Sequence, residues 1–140
     1  MSLEPLLAAP WQIEVHAFAA MAAFALGASQ LALPKGTMRH RTVGWIWVTL
    51  MATIAITSFL IHTICSFGGF SWIHALSILT LVSLPMSVAH ARHHRVQQHK
   101  RLMLILFFAA LVIAGIFTFV PGRIMHDVAF GTQSPHGACA

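Results

Sequence analysis

The chain has 140 residues, of which 58% are hydrophobic and only 8% charged, with eight Lys and Arg against three Asp and Glu and a net charge of +5. Soluble domains carry roughly 25% charged residues, so this composition excludes a water-facing globular surface. The bases sit in two short segments and one helix end rather than along a continuous face, which makes nucleic acid a poor reading.

Residues 15–34, 42–91 and 102–122 contain no Asp, Glu, Lys or Arg. Runs of about 20 apolar residues match the hydrocarbon core of a bilayer. The stretch 42–91 would make a helix of ~75 Å at ~1.5 Å per residue, so it must fold back once. The expectation is therefore an all-α integral membrane four-helix bundle. Residues 1–127 form the transmembrane domain and residues 128–140 a mobile tail. Span A covers about 11–33 and is stopped by Pro34-Lys35-Gly36. Glu4 and Glu14 stand where a cleavable signal would carry positive charge, so span A is expected to stay in the mature protein. Span B covers about 42–65, with His40 at its threshold. A turn over 66–71 leads to span C at about 72–91, with Ser71 as a candidate N-cap and Pro85 predicting a bend. Span D covers about 99–120 and ends at Pro121-Gly122. Trp11, Trp45, Trp47 and Trp72 lie towards span ends, as an interfacial belt predicts.

Lys35, Arg39 and Arg41 lie between spans A and B, and Arg92, Arg95, Lys100 and Arg101 around the C–D connection. These are seven of the eight bases, and the B–C turn has none. The positive-inside rule puts both basic loops in the cytoplasm and both termini outside, in a multi-pass protein of a bacterial plasma (inner) membrane. Contact with membrane lipid follows; self-association is left open.

This topology sorts the ten histidines into layers. His16, His62, His74 and His126 fall near the outer face. His40, His90, His93, His94 and His99 fall near the inner face, and His136 is in the tail. A histidine at a membrane edge is ordinarily just an amphipathic surface residue. An ionisable residue inside an apolar run is different, because it is expensive without a partner; His16 and His74 are such cases. His16, Ala20, Ala23 and Gly27 share one helical stripe, as do His40, Gly44, Trp47, Met51 and Ser58 in span B. In span D the stripe is His99, Met103, Leu106, Ala110, Ile113 and Phe117. Small and apolar residues in such stripes usually reflect helix packing; the histidine at the membrane-edge end of each is the informative part. His90 lies roughly 160° from His74 at ~100° per residue and faces elsewhere.

Neutral imidazole ligates haem iron, copper and zinc. Haem in a bundle core takes one ring from each of two facing helices. His16 with His74 would make one pair and His40 with His99 another, giving two haem b groups across the bilayer. Arg39 and Arg41, and Arg123 on the other side, could pair with haem propionates, although topology alone also explains these charges. A competing set is a copper or zinc site at the outer face. It would use His62 and Cys65, spaced i, i+3, with His126, His74 or His16. Cys65 and Cys139 are too few for a disulfide framework. Hydrolase signatures are absent: Glu4, Glu14 and Asp127 form no paired set, and there is no phosphate loop or nucleophile elbow.

The segments "HRTVGW" (His40–Trp45), "HKRLM" (His99–Met103) and "AGIFTFVPGRIM" (Ala114–Met125) resemble recurring segments of a bacterial family of predicted four-span membrane proteins of unassigned function. The resemblance covers nearly the whole chain and names no activity. The histidine layout is also similar to the four-helix core of the ascorbate-reducible transmembrane di-haem cytochromes b. That likeness is one of layout, without a shared motif. It implies that the first and third helices (His16, His74) hold one haem and the second and fourth (His40, His99) the other. The chain departs from it in the extra His62 and His126 and in the near-surface positions of His40 and His99. The expectation is a b-type cytochrome-like electron carrier, a transmembrane oxidoreductase if it has an activity, partnered by a quinol or a redox protein. The alternatives are a copper- or zinc-binding protein in metal handling or oxidase assembly, and a cofactor-free accessory subunit.

Overall fold

A backbone immersed in lipid must satisfy its own polar groups, and only helices do so within a single segment. The computed structural model describes residues 4–61, 72–120 and 124–130. Four long apolar helices dominate it. Span A is α2 (Trp11–Ala32), span B is α3 (Met38–Leu60), and span C is α4 (Trp72–Arg92). Span D is continuous through α5 (Val96–Ile105), a π-helical segment (Leu106–Ile113) and α6 (Ala114–Phe117). All four are long and apolar enough to cross a membrane. Two short helices, α1 (Glu4–Leu7) and α7 (Ile124–Phe130), pack on each other, so both ends of the described chain lie at one end of the bundle. His62, Cys65, the 66–71 turn, Arg123, His136 and Cys139 lie outside the described residues.

Each span packs on the next in sequence, and the π-helical part of D closes the ring by touching both A and C. Span B begins at Met38, inside the charged segment, because Thr37 caps it: its Oγ1 accepts from the His40 N–H at 3.1 Å. Gly36 takes a left-handed φ of 83° in the tight A–B turn, a conformation that glycine adopts without a steric penalty. Span C ends in a double-bonded cap. Arg95 N–H donates to the His90 carbonyl (2.8 Å) and His94 N–H to that of Ala91 (3.3 Å). His94 itself is left-handed, at φ 56°, in the position usually given to glycine.

The core forms around Ala23, Trp47, Met51, Leu84, Leu106, Phe107 and Leu111. Trp47 therefore belongs to the interior and not to an interfacial belt. Its indole N–H donates to the Ala23 carbonyl at 2.9 Å, and Gly27 leaves the space in which Trp47 and the Phe107 ring meet span A. Trp11 and Trp45 are exposed. The span D stripe breaks part-way. Leu106 is buried, but Ile113 and Phe117 face outward and Phe107 and Leu111 turn inward instead. A π turn admits an extra residue into the helical repeat, and each added residue rotates the rest of the helix by ~100°.

Candidate histidine sites

At the end bearing α1 and α7, His16 is half-buried on span A. Its Nδ1 lies 3.0 Å from Thr57 Oγ1 of span B. The Thr57 hydroxyl also reaches two backbone acceptors, the Thr53 carbonyl at 2.8 Å and that of Ile54 at 3.1 Å. A hydroxyl both donates and accepts, so this contact is compatible with either tautomer of His16. On the other flank of span B, the Ser58 and Ser77 hydroxyls hydrogen-bond to each other. His74, one turn from Ser77 on span C, is buried, with its ring against Phe59 (centroids 5.5 Å apart). Thr57 and Ser58 are consecutive in sequence, so one turn of span B carries the contacts to both the His16 helix and the His74 helix. His126 is half-buried on α7, and its ring packs on Phe130.

At the basic end, His40 and Gln30 form a reciprocal pair. The Gln30 amide nitrogen donates to the His40 carbonyl (2.9 Å), which turns its Oε1 towards His40 Nδ1 (2.7 Å). An amide oxygen only accepts, so His40 is an Nδ1–H donor. His99 Nδ1 lies 2.9 Å from the Ser87 carbonyl, another obligate acceptor, with Ser87 Oγ at 3.1 Å. Arg39 and Arg41 are exposed. Arg39 lines a cavity of about 200 Å³ with Leu33, Pro34, Thr37 and His40.

Two rings on two spans, His40 and His99, thus hold the same tautomer, each fixed by a neighbouring span, and His16 Nδ1 makes a comparable contact to span B. Neither Nε2 atom of His40 or His99 forms a hydrogen bond with a described residue. This is the arrangement of metal-ligating histidines, in which one nitrogen donates to a carbonyl or similar acceptor and the other offers a lone pair. The donor chemistry therefore fits haem iron. Space is the limiting factor. Two cavities, of about 180 and 200 Å³, are below the roughly 300–1,000 Å³ of typical ligand sites. Trp47, Met51, Leu106 and Phe107 fill the middle. A porphyrin would need more room than either cavity gives. Among the described residues no three His, Cys, Asp or Glu side chains converge as a metal site.

Spacing does not single out the partners Gln30, Thr57 and Ser87. Their only signal in the sequence is that each is a hydrogen-bonding residue within an apolar span.

The chain belongs to the family described as "Predicted membrane protein (DUF2306)", whose model matches residues 13–133. It is thus a multi-pass membrane protein. No curated protein and no solved structure matches it.

Proposed function

We propose that this protein is a b-type cytochrome-like electron carrier of the bacterial plasma membrane, with its basic loops cytoplasmic and both termini outside. The observation that carries the reading is the shared tautomer of His40 and His99, which leaves two Nε2 lone pairs on spans B and D. His16 and His74 would hold one haem near the outer face, and His40 and His99 a second near the cytoplasm. Haem bound there supplies one-electron chemistry. The chain's own part is to fix each ring through Thr57, Gln30 or Ser87, and to exclude water from the middle with Trp47, Met51 and Phe107. Arg39, beside His40, and Arg41 would pair with the propionates, as guanidinium groups pair with carboxylates. A quinol or a redox protein would be the electron partner.

The test is the visible spectrum of protein purified in mild detergent from haem-replete cells, oxidised and dithionite-reduced. The expected result is a reducible Soret and α band with two haems per chain, His16→Ala and His99→Ala each removing one component. A colourless protein overturns the reading. Stoichiometric copper or zinc in that colourless protein would favour the outer-face metal site instead.

A further inference from the structure

Spans C and D part near mid-depth and leave a cavity of about 180 Å³. One wall is Leu76, Thr80 and Ser83 of span C; the other includes Leu102, Ala109 and Ala110 of span D. Three observations coincide there. Ser83 is only 9% exposed, yet its hydroxyl forms no hydrogen bond with any described residue, and its oxygen is not sealed off from the cavity. Thr80 donates its hydrogen to the Leu76 carbonyl at 2.8 Å, so towards the cavity its oxygen can only accept. Ala109 and Ala110 belong to the π-helical segment, and single π turns within α-helices are often found at functional sites.

We infer that this groove binds one phenolic ring from a molecule dissolved in the bilayer. Residues three apart on a helix have Cβ atoms about 5–6 Å apart, so a single oxygen can sit between Thr80 and Ser83. A phenol hydroxyl donates to Thr80 Oγ1 and accepts from Ser83 Oγ–H, which satisfies all three groups. A cavity of roughly 150 Å³ with apolar walls accepts benzene, so this one takes a single substituted ring. Water matches less well, because an enclosed water typically makes about three hydrogen bonds and this site offers two, between leucine and alanine walls. The site is separate from the histidines and stands whether or not they hold iron.

The test uses the full chain in lipid nanodiscs, with 4-fluorophenol as probe and ¹⁹F NMR as readout, against empty nanodiscs. The expected result is saturable binding at one ring per chain above the partitioning background, with fluorobenzene at least tenfold weaker. Ser83→Ala and Thr80→Val should each weaken 4-fluorophenol binding by about tenfold, the worth of one buried hydrogen bond. Ala109→Leu should abolish it by filling the groove from the other wall, with helix content unchanged. If Ala109→Leu does not fold, the two span C variants decide. Binding indistinguishable from empty nanodiscs, equal binding of fluorobenzene, or no effect of either span C variant overturns the inference.

Discussion

His40 and His99 each donate Nδ1–H to an oxygen on a neighbouring span, at 2.7 and 2.9 Å, and His16 Nδ1 meets Thr57 Oγ1 at 3.0 Å. All three contacts pin a helix, and those of His40 and His99 also select a tautomer. Leaving a part-buried donor without its acceptor costs on the order of 1 kcal/mol, so the Nδ1–H form is held against its alternative. His94 is the opposite case, a residue whose backbone is unfavourable. An L-residue in the left-handed region costs roughly 1–2 kcal/mol, and His94 occupies it at φ 56° to complete the cap of span C. Replacing His94 with Gly should raise stability by about 0.5–1 kcal/mol, after the entropy glycine adds to the unfolded chain. A higher thermal midpoint in detergent is the expected outcome; an unchanged or lower one contradicts the reading of the cap. The ring positions were legible from spacing, but the acceptors were not. Which oxygen a ring meets depends on the rotation of two helices about their axes, and a single sequence does not set that phase.

At the scale of elements, the four spans were legible because uncharged runs of this length have few other uses. Their inward faces were less so. Lipid is as apolar as the core, so the contrast that marks the buried stripe of a soluble helix fades. Trp47 shows this: it lies two residues from Trp45, yet one indole is 4% exposed and the other 52%. Span D shows it again, since its α-helical stripe fails where the π segment shifts the register. Gly27 is the element-scale hinge of the packing. A Cβ there would lie 2.6 Å from the Phe107 ring and 2.8 Å from the Trp47 indole nitrogen. Gly27→Ala should therefore cost about 1–3 kcal/mol, as overpacked cores do. Adding Phe107→Leu should recover part of that loss. Thermal unfolding of the single and double variants checks both statements; a single variant as stable as the parent would show that the A–B–D contact is looser than described.

For the whole molecule, charge sets direction and packing sets the number of sites. With seven of eight bases around the A–B and C–D connections, both connections should be cytoplasmic. Cysteines placed at Lys35 and His93, with Cys65 and Cys139 replaced by Ser, should react with an impermeant maleimide only after cells are opened. A cysteine at Leu7 should react in intact cells, and the reverse pattern would invert the topology. Because each ring is locked by a different span, assembly of the bundle and selection of the tautomer are one event. The most direct measurement is therefore ¹⁵N NMR of the histidine-labelled protein in detergent at neutral pH, without added haem. His40 and His99, assigned by single substitution, should each show a protonated Nδ1 and a bare Nε2. Rings protonated at Nε2, or exchanging freely between the two forms, would contradict a ligand role for these histidines.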